Sequence, residues 1–140
     1  MKFSVLTLFP EMFDVLNSSI IGRAKENGLI EIETINIRDF SKNKHKKVDD
    51  TPYGGGAGMV MMPDVVYDAY KAVETENAKV IYLSPQGKTL TQKKVKALSK
   101  EKHIILLCRT LWGNWPKSIR WNCRRRNFHW RLCFNRWRDT

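Results

Sequence analysis

Two short segments carry the residue types that could do chemistry. The first is Pro52-Tyr53-Gly54-Gly55-Gly56-Ala57-Gly58, with four glycines in five positions. Glycines let a backbone approach a ligand closely and aim successive N–H groups at anionic oxygens. Asp49-Asp50 precedes the loop, and Lys44, His45, Lys46 and Lys47 precede those acids, so acid and base groups flank it. No GK[ST] follows and the spacing is not GxGxxG, which excludes the common nucleotide loops. On its own the loop reads equally as a binding loop or a flexible linker. The second segment is Tyr82-Leu83-Ser84-Pro85-Gln86-Gly87, at the carboxyl end of a short apolar run. Open α/β sheets bind ligands at such ends, although an ordinary strand-to-helix turn is the simpler local reading.

Other candidates are weaker. Lys93, Lys94, Lys96, Lys100 and Lys102 read first as a solvated helix face and second as a phosphate-binding patch. His45 and His103 have no ligand-like spacing, so no metal is expected. Cys108 closes a buried strand and reads as a small core residue.

The elements that must position these segments follow from periodicity. Lys2 to Leu8 alternates as a strand. Pro10-Glu11 opens a helix whose inward positions are Phe13, Leu16, Ile20 and Ala24, and Gly28 ends it. Leu29 to Ile37 is a second strand with one wet face, and Arg38 to Thr51 is polar loop. Pro63-Asp64 opens a helix with Val66, Tyr70 and Val73 on one side. Val80 to Leu83 is a short strand, Thr91 opens a helix with Val95 and Leu98 inward, and His103 to Cys108 is an apolar strand. Strands alternating with helices, two of them apolar on both faces, predict an α/β domain with a mostly parallel sheet and flanking helices.

Composition sets the outer limits. The chain has 140 residues, 42% of them hydrophobic, and a formal net charge of +11. That suits one domain with a core. No apolar run reaches the roughly 18 residues of a membrane span. The N-terminus is too short and too soon acidic for a secretory signal, so a cytoplasmic address is expected. Three cysteines without CxxC spacing indicate neither a zinc ribbon nor a disulfide scaffold. The charge is uneven. Residues 1–108 hold 14 Lys and 2 Arg against 13 acids, a net of +3, whereas residues 109–140 hold 8 Arg and 1 Lys against Asp139, a net of +8. All five Trp also lie in 109–140.

The runs LTLFPEMF, RAKENGLIEIETINIRDF, KHKKVDDTPYGGGAGMVMMP, AKVIYLSPQGKTLTQ and HIILLC cover residues 1–108 almost continuously. Together they closely resemble the N-terminal domain of the bacterial tRNA (guanine-N1)-methyltransferases, a SPOUT family. The resemblance implies a homodimer with a deep trefoil knot that binds S-adenosylmethionine and methylates N1 of the guanine 3′ of the anticodon in tRNA. It implies cofactor binding by Tyr82, Leu83, Ser84, Pro85 and Gly87. It implies a wall around the target guanine from Asp50, Tyr53, Gly54, Gly55 and Gly56. Guanine N1 carries a proton at neutral pH, so a general base must remove it. The family's base is an acidic residue of a later segment, and no catalytic residue is assigned within residues 1–108.

Residues 109–140 do not continue the family pattern. Read one base later, with Trp112 and Trp115 encoded by UGA, the codons of Arg109 to Lys117 can give Gly-His-Tyr-Glu-Gly-Ile-Asp-Gln-Arg. Those of Trp121 to Thr140 can give Gly-Ile-Val-Asp-Glu-Glu-Ile-Ser-Ile-Gly-Asp-Phe-Val-Leu-Thr-Gly-Gly-Glu-Ile. Both match the family's continuation. The expectation is therefore an incomplete SPOUT domain over 1–108 and a frameshifted, poorly structured tail over 109–140, in a chain without activity. The alternatives are a non-catalytic basic RNA-binding module, whose Arg and Trp would serve phosphates and stacking, and a natural truncated paralogue.

Overall fold

Strand β1 (Lys2–Thr7) and the last strand, β6 (His103–Leu107), are buried on both faces, and both lie in the middle of the sheet. A computed structural model describes residues 1–51, 58–82 and 89–108. After β1 come a 3-10 helix at Pro10–Asn17, α1 (Ser19–Glu26), β2 (Glu31–Asn36) and a 3-10 turn at Ile37–Phe40. Then follow β3 (Asp49–Asp50), β4 (Val60–Met61), α2 (Pro63–Val73), β5 (Lys79–Tyr82) and α3 (Gln92–Leu98), before β6. The strand order is β2-β1-β6-β5, with every pairing parallel, while β3 and β4 form a separate antiparallel hairpin. The expected α/β architecture is thus present. The wet-faced segment EIETIN takes an edge, where only one neighbour has to be satisfied.

The register sorts the core. Leu6 pairs with Leu107 and Val80 with Ile105, on the sheet face covered by Val65, Val66 and Ala69 of α2. Val5, Ile81 and Ile104 point to the opposite face and are also buried. Ile105 and Ile37 are fully enclosed, and truncating such a side chain to alanine costs about 2–5 kcal/mol.

The first helix departs from expectation. It breaks at Ser18, which is extended (φ −110°, ψ 170°), and at Ser19, which is left-handed (φ 60°). The Ser18 hydroxyl donates to the Val15 carbonyl at 2.7 Å, the local competition by which serine interrupts helices. Phe13 and Leu16 are accordingly only half-buried, and Ile20 is 72% exposed instead of facing inward. Val95 of α3 is likewise exposed, with Leu98 the half-buried anchor. The segment Arg38–Thr51 is not all loop, since it holds the 3-10 turn and β3. Gly28 does end α1. At φ 68°, it lets the Leu29 N–H reach the Ala24 carbonyl and its own N–H reach Lys25, closing the helix in a Schellman motif.

Two features fix the packing beyond apolar contact. Gly22 is the buried residue of α1, and a Cβ there would lie 2.7 Å from the Asn17 carbonyl carbon of the preceding 3-10 helix. Backbone cannot yield as a side-chain tip can. His103 is buried at the start of β6, with Nε2 2.9 Å from Ser4 Oγ and Nδ1 2.9 Å from Thr75 Oγ1. Burial, reinforced by Lys2, lowers its pKa below the ordinary 6.5, against weaker opposing pulls from Glu33 and Glu31. The folded state therefore holds a neutral imidazole between two hydroxyls.

Gly22→Ala is expected to destabilise the chain by about 1–3 kcal/mol, read as a lower urea midpoint at unchanged slope. The imidazole gives a second expectation. Above pH 6.5 both folded and unfolded forms are neutral, whereas below it the unfolded chain takes up the proton first. Stability therefore falls with acidification, by at most about 1.4 kcal/mol per pH unit for one group. Urea midpoints of the parent and His103→Asn should diverge in pH dependence between about pH 6.5 and 5; parallel profiles would refute the assignment.

Candidate functional site

The parallel sheet sets the described ends of the candidate segments by its topology. Each crossover helix returns against the strand direction, so loops leaving β2 and β5, and the starts of α2 and α3, share the carboxyl edge. Asp50 belongs to the chain between β2 and α2, and Tyr82 is the last residue of β5. Beside Tyr82 stands Leu107 of β6, which in turn pairs with Leu6 of β1. The Cys108 N–H donates to the Leu6 carbonyl at 2.9 Å, extending the ladder to the rim. Thr7, buried at the same rim, accepts the Phe9 N–H on Oγ1 at 3.1 Å and so turns the chain off the sheet.

The β3–β4 hairpin frames the glycine loop. Asp49 pairs with Met61 and Asp50 with Val60, and the Met62 N–H donates to the Val48 carbonyl at 2.7 Å. Val48 and Met61 root this hairpin in the cluster that contains Leu6, Leu107 and Val80, against which Tyr82 also packs. One core therefore carries both the β3–β4 hairpin and the end of β5. Polar contacts hold the approach to β3: Ser41 Oγ donates to the Lys47 carbonyl at 2.5 Å, Lys46 pairs with Asp39 at 2.9 Å and Lys42 pairs with Asp68 of α2 at 3.0 Å.

Asp50 is exposed, and its Oδ1 accepts from Lys47 Nζ at 3.1 Å and from the Thr51 N–H at 2.9 Å. The Lys47 ammonium first, and the Thr51 N–H second, hold its carboxyl below the usual carboxylate range. At neutral pH it is an anionic acceptor and a weak base, suited to receiving N–H groups. Cys108 is half-buried, and burial pushes its thiol pKa up, so it stays protonated.

Of the residues assigned from sequence, Tyr82 and Asp50 fall on this edge. Leu83, Ser84, Pro85 and Gly87, together with Tyr53, Gly54, Gly55 and Gly56, lie outside the described residues. Among the described residues no three His, Cys, Asp or Glu side chains gather as metal ligands. No helix among them is long and apolar enough to cross a membrane. Sequence reasoning missed the Ser4–His103–Thr75 chain. Its one signal was a polar residue opening an otherwise apolar strand.

Comparison with known proteins gives the family. The family model described as tRNA (Guanine-1)-methyltransferase TrmD matches residues 1–119, past the end of β6. The tRNA (guanine-N(1)-)-methyltransferase of Clostridium perfringens is 63% identical over 109 residues, covering 77% of this chain and 46% of that protein. The one from Ruminiclostridium cellulolyticum is 62% identical over 112 residues, covering 77% and 48%, and that of Clostridium novyi is 59% identical over 109 residues. The chain spans about half the length of the curated relatives it matches. With the match running through every described strand and helix, the chain belongs to the tRNA (guanine-N1)-methyltransferase family.

Proposed function

We propose that this chain is the N-terminal portion of an S-adenosylmethionine-dependent methyltransferase acting on N1 of the guanine 3′ of the anticodon in tRNA. In this reading the enzyme is cytoplasmic and homodimeric, with a trefoil knot. The observation that carries the proposal is the common edge: the Asp50 hairpin and the Tyr82 strand end are rooted in one core cluster, within a segment about 60% identical to named enzymes of this activity.

The described part of the edge fits the cofactor. The Tyr82 ring and Leu107 offer an apolar floor, and the strand ends offer peptide N–H and C=O groups suited to an adenine edge or a ribose. Residues Tyr82, Leu83, Ser84, Pro85 and Gly87 would hold S-adenosylmethionine, which supplies an electrophilic methyl on a sulfonium. The protein's share is alignment, which contributes most of the rate in such a transfer. Asp50, kept anionic by Lys47, would accept the N–H groups on the guanine edge, with Tyr53, Gly54, Gly55 and Gly56 completing the wall. Its depressed pKa disfavours it as the group that removes the N1 proton. That role goes to an acidic residue of a later segment.

For residues 109–140 we propose a one-base frame shift near codon 108. Support comes from the abrupt rise in Arg and Trp and from the family continuation legible one base later. The exposed Met12, Val15 and Ile20 leave apolar surface for a second subunit.

The gene's nucleotide sequence is the first test. Codons for residues 109–112 unlike CGG-ACA-CUA-UGA would sink the frame-shift reading. With one base removed there, the encoded protein should transfer labelled methyl groups to a tRNA carrying guanine 3′ of the anticodon and not to one carrying adenine. Asp50→Asn should lower kcat/KM about tenfold to hundredfold. Transfer indifferent to that base, or none at all, would overturn the proposed activity.

A further inference from the structure

Lysines on this protein fall into two kinds. Lys2, Lys42, Lys46, Lys47, Lys71 and Lys79 each pair with a carboxylate within 3.2 Å. Lys25, which donates to Asn17 Oδ1, and Lys44 have no ion pair among the described residues, and neither does any of the clustered Lys93, Lys94, Lys96, Lys100 and Lys102. The one acid of that stretch, Glu101, is held by Lys79 at 2.6 Å, and Lys94 Nζ donates to the Thr89 carbonyl. Exposed Lys93, Lys96 and Lys100 recur at i, i+3 and i+7, opposite the half-buried Leu98, forming one stripe along α3 and its last turn. The stripe spans about 10 Å at 1.5 Å per residue.

The helix itself gains nothing from this arrangement. Like charges three and four residues apart repel. Lysine in a first turn opposes the helix dipole, and α3 has no acid there and no side-chain cap. The dipole would favour Lys100 and oppose Lys93, so it does not account for the stripe. A feature that breaks local rules without compensation within the fold points outward, to a ligand.

Resting on the methyltransferase reading, we infer that the Lys93–Lys96–Lys100 stripe is a docking surface for the phosphate backbone of the RNA substrate. It starts beside the Tyr82 edge, because α3 leaves from the same end of the sheet as that strand's loop. Three ammonium groups along about 10 Å can meet about three successive phosphates of one RNA strand. The RNA would thus be gripped next to the edge where its guanine is read.

The test is a fluorescence titration of the whole chain with an unmodified tRNA transcript between about 50 and 200 mM salt. Compared with the parent, K93E/K96E/K100E should bind about tenfold to hundredfold more weakly at low salt, with a log–log salt slope shallower by about 2. Its melting temperature should equal or exceed the parent's, since Glu at position 93 suits a helix N-terminus. The neutral K93Q/K96Q/K100Q should show the same shallower slope. Residues 109–140 are common to all variants and cancel in the comparison. An unchanged slope overturns the inference, as does an equal loss in R23E/K25E on α1, which would make net charge the cause. Phosphatidylserine vesicles bound as tightly as tRNA and through the same lysines would replace RNA by a membrane and also overturn it. Guanine-independent methyl transfer by the protein with its frame restored, alongside an altered slope, would count against the proposed activity alone and leave the RNA surface standing.

Discussion

Parallel pairing between β1 and β6 governs the rest of the molecule. Two parallel strands cannot be joined by a tight turn, so each connection must travel back along the sheet, usually as a helix. Here β1 and β6 are the central pair, and the chain between them supplies β2, β5 and three helices. Because every crossover returns in the same sense, all the loops that leave strands gather at one edge. The Asp50 hairpin and Tyr82, far apart in sequence, are thereby rooted in one core. The apolar side chains of Leu6, Ile105 and Leu107 hold that frame together and fix its register, since a slip by one residue would turn a strand's set away from the face that α2 covers.

Charge is used differently across the molecule. On the side of the β3–β4 hairpin, lysines are spent on local carboxylates: Lys42 on Asp68, Lys46 on Asp39 and Lys47 on Asp50. Exposed pairs of this sort add little stability, about 0–1 kcal/mol each. Their effect is positional, keeping a polar segment against α2 and keeping Asp50 ionised. Along α3 the lysines lack such partners among the described residues and face solvent. The buried centre of the sheet excludes charge altogether, and its one titratable ring, His103, stays neutral between Ser4 and Thr75.

Much of the fold was legible from local signals. The spacing of Val66, Tyr70 and Val73 after Pro63 matched α2, Gly28 stopped α1, and the almost wholly apolar run HIILL marked a strand. Other parts were not, for identifiable reasons. The periodicity of Phe13, Leu16 and Ile20 implied one continuous helix, but the Ser18 hydroxyl takes a backbone carbonyl for itself and the helix restarts. Strands β3 and β4 have two residues each, too short for alternation to show. At the site, the chemistry of Asp50 was suggested by its neighbours, whereas its ionised state depends on the particular reach of Lys47.

The sequence by itself determined the class of the domain, the order of its elements and the family, because hydrophobic period, turn residues and runs such as VDDTPYGGGAGMVM and YLSPQG are local properties of the chain. Tertiary structure alone decided which strands became neighbours, which lysines kept partners and where a histidine would be neutral. Ser4 and His103 are 99 positions apart yet share a hydrogen bond. No local pattern encodes such a contact. It exists because the parallel ladder of β1 and β6, held in one register, sets Ser4 diagonally across from His103 on the same face of the sheet.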